Sequence, residues 1–175
     1  CSSDLRSLSV VLGPHLKLME ILYPDNRTPP RREVVQSSKA FKRCIHAVRD
    51  EGMLLTLLAD RPLAERGSEI EMFGHKLYLP LAPARMALKS GAPMISGFMI
   101  RKPDGTYKAR FGPEIIPPET GTEIEKAKAM MKQYAATLEK LIREYPEQWH
   151  IFFRIFNPLE GAAPDPALST VQSEA

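Results

Sequence analysis

Short apolar runs broken by glycine and proline fill the first two thirds of the chain, and one long helical stripe follows. Leu8 to Leu12 (LSVVL) is apolar, β-branched and halted at Gly13-Pro14, which predicts a strand. Leu16 to Leu22 predicts a short helix, and Asn26 to Arg32 a loop carrying Arg27, Arg31 and Arg32. Val34-Val35 predicts a brief strand. Ser38 suits an N-cap, and Phe41, Cys44, Ile45 and Val48 share one helical face that ends at Gly52. Met53 to Ala59 (MLLTLLA) then predicts a buried strand ending at Asp60-Arg61-Pro62. Beyond it the pattern predicts a short strand with a glycine turn over Ile70 to Gly74 and a helix over Ala82 to Ser90. A second apolar strand, Pro93 to Ile100, leads to a hairpin turn at Asp104-Gly105. This succession of helices and strands predicts an α/β fold, a mixed sheet flanked by helices.

The longest element is a helix over Glu123 to Tyr145, opened by a Thr122/Glu125 capping box. Ile124, Ala127, Met131, Tyr134, Leu138, Leu141 and Tyr145 form its apolar stripe, read as packing on the protein's own sheet rather than as a seam for a partner. Trp149, His150, Phe152, Phe153 and Phe156 gather aromatic rings around Arg154. That cluster is read as a C-terminal helix packed on the sheet, ahead of insertion at a membrane interface. Residues 157–175 are rich in Pro, Ala and Ser and have little to bury, so they read as a disordered tail.

Composition narrows the function classes. The length, 175 residues, suits one domain with a real core, and 43% hydrophobic with 26% charged residues is ordinary for a globular chain. A net charge of +3 permits attraction to anionic lipid. The basic residues are scattered among acids, which argues against nucleic acid as a partner. Two cysteines exclude a disulfide framework, and Cys44 on an apolar helical face reads as core. The sequence has no apolar run long enough to span a bilayer, no zinc-type Cys/His spacing, no phosphate-binding glycine loop and no G-x-S-x-G elbow.

A particular set of motifs occurs in order: L-L-x-D at Leu57 to Asp60, then Met72-Phe73-Gly74, then P-A-R-M-A-L-K-S-G-A-P at Pro83 to Pro93. Arg101 with P-D-G-x-Y at Pro103 to Tyr107 follows, and P-E-Q-W-H-I-F-F-R at Pro146 to Arg154 closes the series. This order resembles the C-terminal part of the bacterial lipid A biosynthesis (lauroyl/myristoyl) acyltransferases, within the lysophospholipid acyltransferase superfamily. The resemblance implies a glycerolipid acyltransferase-type α/β fold whose N-terminal part precedes Cys1. Residues 1–5 resemble a translated sequencing adapter and read as a non-native leader, and on the family resemblance residues 6–156 are the C-terminal part of the acyltransferase domain. It also implies a fatty acyl donor, acyl carrier protein or coenzyme A thioester, and a lipid acceptor such as a lipid A precursor or related glycolipid. No cofactor or metal is expected, and the location implied is peripheral, on the cytoplasmic face of the bacterial inner membrane. The alternative is a non-catalytic lipid- or membrane-binding α/β module, or an inactive fragment.

Acyl transfer to a hydroxyl needs a base and a stabilised oxyanion. The family's H-x-x-x-x-D/E motif has a literal match in His15 and Glu20, while the order of elements sets that motif upstream of the strand at Leu8, which leaves His15 a loop or helix-start histidine. Asp60 ends the core strand, where open α/β sheets hold their ligands, and is expected to organise the site. Arg61 suits bidentate phosphate binding or a pair with Asp60. Arg85, one turn into a helix, and Arg101, at a strand end, are candidates for anionic parts of the substrate, with exposed surface arginines as the plainer reading. His46 and His75 read as surface or loop residues.

Overall fold

The computed structural model describes residues 6–11, 32–36, 40–60 and 67–151. Three strands form a small parallel sheet in the order β2-β1-β3: β1 (Ser7–Val11) lies between β2 (Arg32–Gln36) and β3 (Leu54–Thr56). Parallel strands need crossover connections, and α1 (Ala40–Arg49) lies in the one that leads from β2 across β1 to β3. Leu8 of the central strand is fully buried beneath α1, packed with Ala40, Cys44, Ala47 and Met53. Cys44 is thus a core residue, as its helical position predicted. Gly52, with φ of 63°, ends the turn after α1 where the sequence placed the stop.

The run Met53 to Ala59 does not form the seven-residue buried strand that its composition predicts. Only Leu54 to Thr56 pair with β1, and β3 is the sheet's edge among the described residues. With one neighbour three pairs long, the ladder has nothing to hold Leu57 to Ala59, so the chain leaves it. Leu58 is accordingly 87% exposed, while Met53 and Ala59 are buried at either end.

Two antiparallel hairpins follow. β4 (Ser68–Met72) and β5 (His75–Leu79) are joined by Phe73-Gly74, both at positive φ (56° and 75°). Two positive-φ residues are what the right-handed twist of a two-residue hairpin requires, and Gly74 meets that at no steric cost. The sequence reading recognised the turn but missed β5, whose inward residues Leu77 and Leu79 are fully buried. α2 (Ala82–Ser90) has the predicted bounds. β6 (Met94–Arg101) and β7 (Tyr107–Ile115) form the second hairpin, with a register shift between Ile95 and Gly97. The described strands therefore form three separate small sheets, not the single mixed sheet expected. The mixed α/β character itself is as predicted.

α3 (Glu123–Glu144) is the spine, and its N-terminus carries the complete Thr122/Glu125 capping box. Its buried line is Ala127, Met130, Met131, Tyr134, Ala135, Leu138 and Ile142. The predicted stripe holds in the middle and drifts at both ends: Ile124 is more than half exposed, and Ile142 replaces Leu141 as the buried position. At 3.6 residues per turn, a strict alternation of three and four rotates off the core over six turns. This line packs on Ile70, Met72, Leu77, Leu79 and Ile115 to form the larger core. α2 joins the two cores. Ala84 faces the larger and Met86 the smaller, as residues two apart point to nearly opposite sides of a helix.

A single 3-10 turn, Pro146–Gln148, follows α3, after which Trp149 packs on the larger core beside Phe73, ring centroids 6.3 Å apart. The aromatics from Phe152 onward, the tail 157–175, the leader 1–5, and the predicted helix Leu16 to Leu22 lie outside the described residues.

Candidate functional site

β1 and β3 are parallel neighbours, so Val11 and Thr56 end at the same edge of the sheet. In sequence, His15 follows Val11 by four residues, and Asp60 follows Thr56 by four. His15, Glu20 and Arg61 lie outside the described residues. Asp60 sits half-buried in the bend after β3, directly beyond Ala59, which packs with Tyr134 in the larger core. Burial, and then the negative charge of Asp60, raise the Tyr134 phenol well above the usual tyrosine range. The carboxylate thus acts on the middle of α3.

Arg85 stands at the other end of that helix. Its Nε donates to Glu123 Oε1 at 2.7 Å, while Lys89 Nζ lies 2.6 Å from Glu123 Oε2. The Arg85 guanidinium also stacks over Phe41 of α1, 5.4 Å from the ring centroid. Lys89 and then Arg85 hold the Glu123 carboxyl below its ordinary range. Glu123 is in the first turn of α3, where a negative charge complements the helix dipole. One ion triad therefore fastens α1, α2 and α3 together, and a protein carboxylate already occupies one edge of Arg85.

Arg101 belongs to a third place. Gln148 clamps its backbone, accepting from the Arg101 N–H at 2.8 Å and donating to the Arg101 carbonyl at 3.0 Å. Around it opens a cleft of about 580 Å³ lined by Arg101, Lys102, Lys108, Arg110, Glu144 and Tyr145. Arg110 pairs with Glu144 at 2.5 Å, and this pairing, then the Tyr145 hydrogen bond, lowers the Glu144 carboxyl. Arg85 meets the first residue of α3 and Arg101 lies beyond its last. At 1.5 Å per residue the 22-residue helix separates them by roughly 30 Å. No single phosphate spans that distance, so the two arginines do not form one anion site.

A further histidine–carboxylate pair escaped the sequence reading. His46 Nδ1 lies 2.9 Å from Glu51 Oε1, and these residues too have the H-x-x-x-x-E spacing. The same carboxylate is bound by Arg43 and approached by Arg6 at 3.5 Å. The pair precedes the N-terminal end of β3, whereas Asp60 follows the C-terminal end. It belongs to a surface ion cluster that closes α1 onto the sheet and does not join Asp60. Only the spacing could have revealed it. Among the described residues no group of His, Cys, Asp and Glu is arranged to hold a metal ion.

The comparisons with known proteins agree with the motif order. The family model described as bacterial lipid A biosynthesis acyltransferase matches residues 8–157. A phosphatidylinositol mannoside acyltransferase of Mycolicibacterium smegmatis is 28% identical over 97 residues, which cover 55% of this chain and 30% of that protein. The match therefore spans less than a third of the length of this curated relative. With the family match running through both cores and through Asp60, Arg61, Arg85 and Arg101, the chain belongs to the bacterial lipid A biosynthesis acyltransferase family.

Proposed function

We propose that this protein transfers a fatty acyl group from a thioester, acyl carrier protein or coenzyme A, to a hydroxyl of a membrane glycolipid, a lipid A precursor or a related acceptor. The observation that carries this reading is the family match over residues 8–157. The relative named for phosphatidylinositol mannoside supports a glycolipid acceptor. In the reaction, the acceptor oxygen bonds to the thioester carbonyl carbon and its proton passes to a base. The oxyanion then collapses, and the C–S bond breaks to release thiolate.

His15 is the proposed base, with Glu20 as the carboxylate that orients it. The parallel pairing of β1 and β3 supports this, because the segments leaving Val11 and Thr56 start from one sheet edge, where open α/β sheets bind ligands. Asp60, leaving the same edge, positions the reacting groups, and Arg61 binds phosphate beside it. Arg85 and Arg101, some 30 Å apart by the helix between them, contact different anionic groups, one of the donor and one of the acceptor. No metal or cofactor takes part. The place of action is the cytoplasmic face of the inner membrane, with the protein bound peripherally.

The test is transfer of a labelled acyl group by the purified chain from each thioester to detergent-dispersed glycolipid acceptors. Transfer lost in His15→Ala and in Glu20→Gln supports the assignment. Transfer that survives His15→Ala removes His15 from the mechanism, and a folded wild-type chain inert with every donor and acceptor contradicts the reading itself.

A further inference from the structure

The hairpin β6–β7 has two unlike faces. Cross-strand partners share a face, and Arg101 stands opposite Tyr107, Met99 opposite Ala109, and Gly97 opposite Phe111. Ile95 continues this row two residues before Gly97. Ser96, Ile100 and Ile115 point the other way and are buried, and Phe98 packs on the larger core, to which Ile115 belongs. On the outward row Ile95, Met99, Tyr107 and Phe111 are each more than half exposed. The Phe111 ring lies against Gly97, where a Cβ would come within 3.1 Å of it, so the row is smooth and continuous. Hydrophobic side chains on a soluble surface are normally scattered singly, whereas here four large ones line one face of a two-stranded ribbon.

Charge is distributed unevenly along the ribbon. Arg101 lies on the row itself at the turn end, followed by Lys102, while Lys108, opposite Ile100, starts from the other face of the ribbon near the same turn. Lys102 pairs with Asp104, but neither Arg101 nor Lys108 has a carboxylate partner among the described residues. The acid Glu114 stands at the far end, opposite Ile95. An apolar face with aromatic rings and a cationic end suits a lipid interface of negative charge. Among the described residues no helix is long and apolar enough to cross a membrane.

We infer that the outward face of the β6–β7 hairpin, Ile95, Met99, Tyr107 and Phe111 with Arg101 at its turn end, is the surface that docks the protein onto an anionic lipid bilayer. This rests on the proposed lipid acceptor, which must be reached where it lies.

The experiment is co-sedimentation of the full chain with vesicles of phosphatidylcholine alone or mixed with phosphatidylglycerol, with circular dichroism to check that each variant is folded. The wild type is expected on the mixed vesicles and much less on the neutral ones. Met99→Asp is expected to weaken binding on the order of tenfold or more, since an apolar side chain is exchanged for a charge. Arg101→Ser is expected to weaken it roughly five-fold, less so in high salt. Ile124→Asp, on the exposed start of α3, is expected to bind as the wild type does.

Equal binding by Met99→Asp and the wild type, or no binding by the folded wild type, would overturn the proposal. So would a wild-type dimer that Met99→Asp dissociates without loss of vesicle binding, which makes the face a contact between two copies. Vesicle binding needs no acyl donor. Binding that depends on Met99 without any acyl transfer strikes the proposed reaction alone, and transfer to dispersed acceptor with Met99-independent binding strikes this surface alone.

Discussion

Glu139 is where the β4–β5 turn is fastened to the helical spine, and removing its carboxylate tests how the larger core is held. Its Oε2 accepts the Phe73 N–H at 2.9 Å, and its Oε1 pairs with Arg143 at 2.7 Å. Arg143 in turn covers the Phe73 ring, 4.9 Å from the centroid. Phe73 holds a left-handed backbone that costs a non-glycine residue about 1–2 kcal/mol, so the turn depends on these anchors. A hydrogen bond to a charged acceptor contributes about 1.5–3 kcal/mol, and with the Glu139 side chain 27% exposed the lower end applies. The i,i+4 pair with Arg143 adds about 0.3–0.5 kcal/mol.

Glu139→Ala should therefore lose about 2 kcal/mol, a fall in Tm of about 4–8 °C for a chain of this size. The Phe73 N–H, and then Arg143, lower the Glu139 carboxyl below its ordinary 4.5. A carboxyl depressed by folding contributes its stability above the unfolded value and loses it as pH falls through the folded one. The gap between wild type and variant should be widest at neutral pH and close below pH 4.5. Glu139→Gln keeps an uncharged acceptor and should fall between them with little pH dependence. Thermal unfolding by circular dichroism at neutral and acid pH reads all three. A Glu139→Ala loss under about 0.5 kcal/mol, the scatter of ordinary surface changes, or a gap unchanged in acid, would refute this anchoring.

Three further outcomes follow from the same geometry. Asp60→Asn should let Tyr134 ionise at a lower pH, since a neighbouring negative charge disfavours the phenolate; ultraviolet titration, with Tyr134→Phe to assign the signal, checks it. Glu123→Gln should lower Tm at low ionic strength and progressively less in concentrated salt, because the Arg85 and Lys89 pairs are partly exposed and screened. Leu138→Ala, at a buried site on α3, should cost about 2–5 kcal/mol in urea unfolding, with the larger core left short of a side chain.

Local features were the most legible in the sequence. The Thr122/Glu125 box and the bounds of α2 depend on residues within a turn of one another, and both appear as read. β1, β2 and α1 also lie where the apolar pattern placed them. Met53 to Ala59 misled because a continuous apolar run states that a segment is greasy, not how many neighbours it has. Pairing with β1 alone gives three strand residues and an exposed Leu58. β5 was missed because His75-Lys76-Leu77-Tyr78-Leu79 buries only Leu77 and Leu79 fully, and its strand character comes from the Phe73-Gly74 turn that pairs it with β4. For the candidate site, the sequence supplied Asp60, Arg85 and Arg101 as residue types at element ends. It could not show that Glu123 holds Arg85, that Gln148 clamps Arg101, or that one helix length stands between them. Those facts depend on contacts between residues 38 and 47 positions apart.

The central claim is that residues leaving the shared edge of β1 and β3 carry acyl transfer. Its most direct test is the rate of labelled acyl transfer from thioester to glycolipid by Asp60→Asn beside the wild type, with unfolding followed in parallel. The account predicts a fall of about a hundredfold or more in rate at nearly unchanged Tm, as expected when a positioning group is lost. A folded Asp60→Asn protein that transfers acyl groups at the wild-type rate would contradict it.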